Sequence, residues 1–298
     1  MNVRKDSREV TMKFVTDSCS DLTLELVKEM GLDVIPLSVE IEGTSYFHYP
    51  DERALKIKDF YGMLRDKKIA KTSLINAGQF LEFFEPYLKL GEDILYVAFS
   101  SALSGTYQSS LIAREELLEK YPERKIYCVD SKSASMGQGL LIYLAFDLIK
   151  QGKKIEEVAS WIESNRLNIV HLFTVDDLGT LKRGGRLSDT QAFLGSLLKI
   201  KPILHVSDEG KLVPIKKARG RAFSLEQMVL MIQDHIKEPE SQTIFISHGD
   251  CIEEAKEVGQ MIKSKYGVKE IVYNTIGPII GAHSGPGTIA VFFIGHQR

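Results

Sequence analysis

Residues 13–31 read KFVTDSCSDLTLELVKEMG, and the succession they contain decides the fold class. KFVT at 13–16 is a short apolar strand, and DLTLELVKEMG at 21–31 is an amphipathic helix closed by Gly31. Between them runs the hydroxyl- and carboxyl-rich VTDSCSD at 15–21. The same order returns twice. DILYVAFS at 93–100 leads through AFSSALSGT at 98–106 into a helix from about Thr106 to Tyr121. KIYCVD at 125–130 leads through VDSKSAS at 129–135 into a helix from about Ala134 to Lys150. Strands alternating with helices imply an α/β fold, with a mostly parallel sheet between helical layers. In such a sheet the strand carboxyl ends form the ligand crevice, so the three loops are expected to converge there. Helix N-termini facing the same crevice favour an anion. N-capping accounts for one Ser or Thr per loop, but not for five or six.

Outward from these units, DVIPLSVEIEG at 33–43 reads as one extended strand. Helices are expected at 56–67 and at 77–90, the second opened by Asn76 as N-cap, and again at 155–166. Beyond that point strands follow one another more closely: NIVHLFTV at 168–175, PILHVS at 202–207, KLVPIKK at 211–217, TIFISH at 243–248, EIVYN at 270–274 and TIAVFFIG at 288–295. Asp208-Glu209-Gly210 makes a hairpin turn, and helices fall near 220–237 and 252–266. The expectation is two domains. Residues 1–167 form an N-terminal three-layer α/β domain carrying the Ser/Thr-rich loops. Residues 168–298 form a C-terminal α/β domain with a mixed sheet that closes over the ligand.

Composition narrows the function. The chain has 298 residues, 44% of them apolar, with 38 Lys plus Arg against 40 Asp plus Glu and a formal net charge of −2. That balance gives no electrostatic reason to bind nucleic acid or an anionic membrane surface. The longest apolar run, Ile289 to Ile294, is far below the roughly 20 residues that span a bilayer, so no integral membrane segment is expected. The N-terminal MNVRKDSREVTMKF is polar, without the apolar core of a secretory signal, and a cytoplasmic location is expected. Cys19, Cys128 and Cys251 are widely separated, without metal-ligand spacing, and read as free thiols. No metal and no cofactor is expected.

The hydroxyl-rich loops bound the charge of the ligand. Residues 16–20 and 100–106 contain no Lys or Arg, and the third loop has only Lys132. A nucleotide triphosphate normally meets a glycine-rich loop with a lysine, and the nearest candidate, GTLKRGG at 179–185, has Gly185 in the lysine's place. GQG at 137–139 begins a dinucleotide fingerprint but Ile142 replaces its third glycine. A singly charged carboxylate fits hydroxyl donors better. KTSLINAG at 71–78 adds Thr72 and Ser73. GPIIGAHSGPG at 277–287 reads as a glycine-rich loop between two strands, with His283 and Ser284 in its middle. The densest basic region lies in 176–204 and 216–224, with Lys182, Arg183, Arg186, Lys216, Lys217, Arg219 and Arg221. It reads as a solvated face or as a docking surface for an acidic or phosphate-carrying partner.

Taken in order, VTDSCSDL, KTS, SSALSGTYQSS, VDSKSASMGQG, DDLGTLKRGGRLS, LGSLLKIKPIL, KKARG and IGAHSGPG resemble the DegV family of bacterial lipid-binding proteins. The resemblance implies a two-domain fold that buries a long-chain fatty acid such as palmitate, stearate or oleate. It further implies that the carboxylate is presented to a separate ATP-dependent fatty acid kinase subunit, whose acyl phosphate feeds phospholipid synthesis. By the same resemblance Thr72, Ser73, Ser100, Ser101 and His283 bind the carboxylate, and Arg186 and Arg219 dock the kinase. The protein would then present a substrate rather than catalyse. One departure is that Ser73-Leu74-Ile75-Asn76 stands where the family usually has Ser-Gln-Pro-Ser. Two other readings are a lipid carrier or sensor without a kinase partner, and a serine hydrolase using Ser101 or Ser284, His283 and Asp17 or Asp130. No G-x-S-x-G elbow supports the hydrolase.

Overall fold

The computed structural model describes residues 12–187 and 200–298. The N-terminal segment up to residue 11 and residues 188–199, which hold the middle of the 176–204 stretch and much of LGSLLKIKPIL, lie outside the described residues. The fold is α/β. A parallel sheet in the order β2-β1-β6-β7 is built from β1 (Met12–Asp17), β2 (Asp33–Ile35), β6 (Asp93–Ala98) and β7 (Ile126–Asp130). All three of its pairings are parallel. Every residue of β6 is buried, as a strand covered on both faces requires. The covering helices include α3 (Ala77–Lys89), α4 (Thr106–Lys120), α5 (Met136–Lys150) and α6 (Ile155–Asn165). Asn76 caps α3 through a reciprocal bond with Gln79.

Strands β8 (Ile169–Thr174), β9 (Ile200–Val206), β10 (Leu212–Arg219), β11 (Thr243–His248), β12 (Glu270–Thr275) and β13 (Ile289–Ile294) make a six-stranded sheet in the order β10-β9-β8-β13-β11-β12. It is mixed, with only β11 and β12 running parallel. Helices α8 (Arg221–Met231) and α9 (Ile252–Tyr266) pack on it. One apolar cluster continues from the first sheet into this one, joining Val15, Leu95 and Leu140 to Phe245 and Phe292.

Of the elements that differ from the sequence expectation, two bear directly on the site. The strand expected over 33–43 is divided at Pro36, which has no N–H for the ladder. After the break, β3 (Ser38–Ile41) leaves the parallel sheet and pairs antiparallel with β4 (Thr44–Phe47) and β5 (Ala70–Ser73). Glu42 and Gly43 turn the β3–β4 hairpin, both at positive φ. The second difference is the expected loop at 277–287, which contains a short helix, α10 (Pro278–Ser284). Its first turn accepts Pro278 because that position needs no helical N–H. Gly281 serves close approach, since a Cβ there would lie 2.8 Å from Phe60 Cε1 and from Tyr61 Oη. Phe60 and Tyr61 belong to α2 (Ile57–Arg65), so α10 is seated against α2 as well as against β3 and β5. Among the described residues no helix is long and apolar enough to cross a membrane.

Candidate functional site

The three hydroxyl-rich loops stand together at the carboxyl ends of β1, β6 and β7, but most of their side chains bond to one another. Asp17 accepts from Cys19 N at 3.0 Å, Phe99 N at 2.8 Å and Tyr96 Oη at 2.8 Å. Burial raises its pKa, against those same hydrogen bonds, which favour the ionised form. Ser100 is fully buried and donates to the Gly210 carbonyl at 2.8 Å, holding the β9–β10 hairpin turn. Ser101 donates to Asp130 Oδ2 at 2.6 Å, while its N–H reaches Asp130 Oδ1 at 3.1 Å. Ser18 accepts from Leu37 N at 3.0 Å, fixing the chain after the Pro36 break.

Between the two large sheets lies a cavity of about 200 Å³. Its walls are mostly apolar, with Phe99 and Leu103 from one side and Phe173, Val206, Ile279 and Phe292 from the other. Thr72, Ser73, Arg186, His283 and Ser284 bring polar atoms to it. Thr72 sits in β5 and His283 in α10, and the packing of α10 on β5 places Thr72 Oγ1 2.8 Å from His283 Nε2. The imidazole's Nδ1 and the Ser284 hydroxyl are buried without a hydrogen-bond partner among the described residues. Gly184, just after α7 (Leu178–Arg183), admits the ring: a Cβ there would lie 2.3 Å from Nδ1.

Burial pushes the His283 pKa down to about 4, and the Arg186 guanidinium acts in the same direction. The ring is therefore neutral near pH 7, with one nitrogen a donor and the other an acceptor. Arg186 is held by the carbonyls of Leu103 at 3.2 Å and Gly184 at 2.6 Å. This end of the cavity thus offers the hydroxyls of Thr72, Ser73 and Ser284, a neutral imidazole and one guanidinium, a set suited to a single carboxylate.

The structure brings Thr72, Ser73, His283 and Arg186 to one cavity; for Arg186 the resemblance implies a docking role. Ser100 and Ser101 are not among its lining residues, because their hydroxyls are bound to Gly210 and Asp130. Arg219 is exposed at the end of β10, away from the cavity wall. The hydrolase constellation is not assembled: Ser101 bonds to Asp130, His283 to Thr72, and Asp17 to Tyr96 and two backbone amides. His171 also lines the cavity, but Nδ1 lies 3.0 Å from the Ile169 carbonyl and Nε2 accepts from Ala134 N at 3.3 Å. Ser135 and Ser247 also line the cavity, and nothing in the sequence distinguishes them from their neighbours.

Fold and cavity together define an α/β protein with an amphipathic cavity between a parallel and a mixed sheet. The chain belongs to the DegV family: the model described as uncharacterised protein, DegV family, matches residues 11–296. A DegV domain-containing protein of Clostridium perfringens is 50% identical over 96% of this chain and 99% of its own length. The structure is similar to that of a fatty acid-binding DegV family protein from Thermus thermophilus, with a TM-score of 0.86 and 28% identity over 96% of this chain and 100% of that one. It is also similar to a stearic acid-binding protein from Eubacterium ventriosum, with a TM-score of 0.84 and 25% identity over 95% of this chain and 98% of that one.

Proposed function

We propose that this protein binds a long-chain fatty acid in the cavity between its sheets. In this reading Thr72 and His283 hold the carboxylate, which is presented to a separate ATP-dependent kinase subunit for acyl phosphate formation. The observation that carries the reading is a mostly apolar cavity with the Thr72–His283 pair in its wall. Fatty acid binding by the Thermus and Eubacterium relatives supports it. Burying about 15 methylenes at roughly 0.8 kcal/mol each contributes on the order of 12 kcal/mol before ordering costs, so affinity resides in the tail.

The head group needs compensation for lost water, without so much fixed positive charge that it stops being a nucleophile. A neutral His283 meets that condition, because it donates one hydrogen bond and adds no charge. Arg186 supplies a single cation, already shared with two carbonyls. The carboxylate stays ionised and its oxygen attacks the γ-phosphorus of ATP held by the partner, releasing ADP. Arg219, exposed beyond the cavity, is the position proposed to meet the kinase. The chain itself acts as a substrate-presenting subunit.

The test is organic extraction of purified protein followed by mass spectrometry, then passage over an immobilised fatty acid kinase subunit with ATP. A stoichiometric long-chain acid that is converted to acyl phosphate supports the reading. Bound acid without kinase retention leaves a carrier, and an empty protein that ignores added fatty acid overturns both.

A further inference from the structure

A second cavity, of about 430 Å³, shares no lining residue with the first. Its walls come from the loop after β1, the start of α1 (Leu24–Glu29), the segment between β4 and α2, and the end of β12. Asp21 lines this cavity and Ser135 lines the first, and the Ser135 hydroxyl donates to Asp21 Oδ2 at 2.5 Å. The two spaces are thus neighbours with opposite linings, the first mostly apolar and the second rich in carboxyl and hydroxyl groups.

His48 is the group in this wall that lacks a partner. It is 8% exposed, and its Nδ1 is buried without a hydrogen-bond partner among the described residues. Burial lowers its pKa to about 4, and the Ser18 backbone opposes that shift, as a carbonyl accepting the ring N–H does. With its single proton so engaged, the neutral imidazole is left with Nδ1 as an acceptor. An unmet acceptor at a cavity wall calls for a ligand that brings a donor.

Charge points the same way. Asp21, Glu25, Asp51 and Glu52 line the cavity, and Lys56 is the only Lys or Arg among its lining residues. Asp51 pairs with Arg53 at 3.2 Å, and Asp21, with a pKa raised to about 7 chiefly by burial, is partly protonated at neutral pH. With both set aside, Glu25 and Glu52 still outnumber Lys56. Glu52 spends one oxygen on Ile57 N, at 3.1 Å. Among the described residues no three of His, Cys, Asp and Glu are grouped so as to hold a metal ion. Acceptors spread around a wall suit an organic cation with several N–H groups, whereas a carboxylate or phosphate meets repulsion.

We propose that this cavity is a second binding site, taking the ammonium group of a small primary amine, with His48 as hydrogen-bond acceptor and Glu25 and Glu52 supplying the negative charge. It is independent of the fatty acid site and of the reading given to that site.

The experiment is titration of the full chain at pH 7 and fixed ionic strength with butylammonium, 1-butanol and butanoate, followed by the backbone amide NMR signals of Asn274 and Thr275 in the β12 wall. Butylammonium should give saturable shifts with a Kd below about 10 mM, and the neutral and anionic analogues should bind at least about tenfold more weakly. His48→Phe keeps a planar ring and removes the acceptor, and should weaken butylammonium at least about fivefold. Glu52→Gln keeps an oxygen for Ile57 N while removing the charge, and should weaken it about threefold or more. Circular dichroism checks that each variant is folded, and Glu52→Gln carries the test by itself if His48→Phe is not. Absence of saturable shifts, equal binding of 1-butanol, or butylammonium binding unchanged in the folded variants overturns the proposal.

Discussion

The loop after β6 and the segment around α10 are both rich in small polar residues, yet their side chains end in opposite states. In the β6 loop Ser100 and Ser101 are bonded to Gly210 and Asp130. In α10 the Ser284 hydroxyl and His283 Nδ1 are buried without partners among the described residues. A buried polar group that is fully bonded holds the fold, and one left unbonded waits for something else to bond it. Residue type did not separate the two regions; hydrogen-bond accounting did.

The comparison is strained hardest at Asp17, a fully buried acid that accepts three hydrogen bonds. Asp17→Ala strips three buried donors of their acceptor and should cost about 5 kcal/mol in chemical denaturation. A cost below about 1 kcal/mol would show that these bonds do not organise the loops. Next comes Asp21, whose pKa is raised from 3.8 to about 7, chiefly by burial, with the Asp17 charge adding to it. The folded state holds this proton more tightly than the unfolded chain. The resulting stabilisation is complete below about pH 4 and is lost as pH rises through about 7, a swing on the order of 4 kcal/mol. Stability of the unaltered protein relative to Asp21→Asn should therefore fall across that window. Taking the difference between the two proteins cancels the histidines, whose lowered pKa values act with the opposite sign.

Smaller effects sharpen the contrast. His283→Ala should reduce acyl phosphate formation about tenfold while weakening fatty acid binding far less, since affinity lies in the tail. An unchanged phosphorylation rate would remove His283 from the head-group role. Thr72→Val keeps the shape and removes the hydroxyl, and should lower affinity roughly three- to tenfold with little change in stability. Ser101→Ala should do the reverse, costing about 1 kcal/mol of stability and leaving affinity within about twofold. Equal affinity losses for Thr72→Val and Ser101→Ala would erase the distinction between the two regions.

Much of the framework was legible beforehand. The strand–loop–helix units at 13–31, 93–121 and 125–150 appear as expected, because period and capping are local. The break at Pro36 was also signalled, by a residue that cannot donate to a ladder, but the apolar residues flanking it read as one strand. The α10 turn was hidden by its glycines, which read as loop although Gly281 is there for close contact with Phe60 and Tyr61.

The sequence by itself determined the alternation of strands and helices, the parallel and mixed character of the two sheets, and membership of the DegV family. It also marked Thr72 and His283 by motif. The tertiary structure alone decided which hydroxyls reach the cavity. Thr72 meets His283 across 211 positions, Ser100 meets Gly210 across 110, and Ser135 meets Ser247 across 112. A serine's role is set by the donor or acceptor that arrives from the other side of the core, and that partner is fixed by packing rather than by the residues beside it.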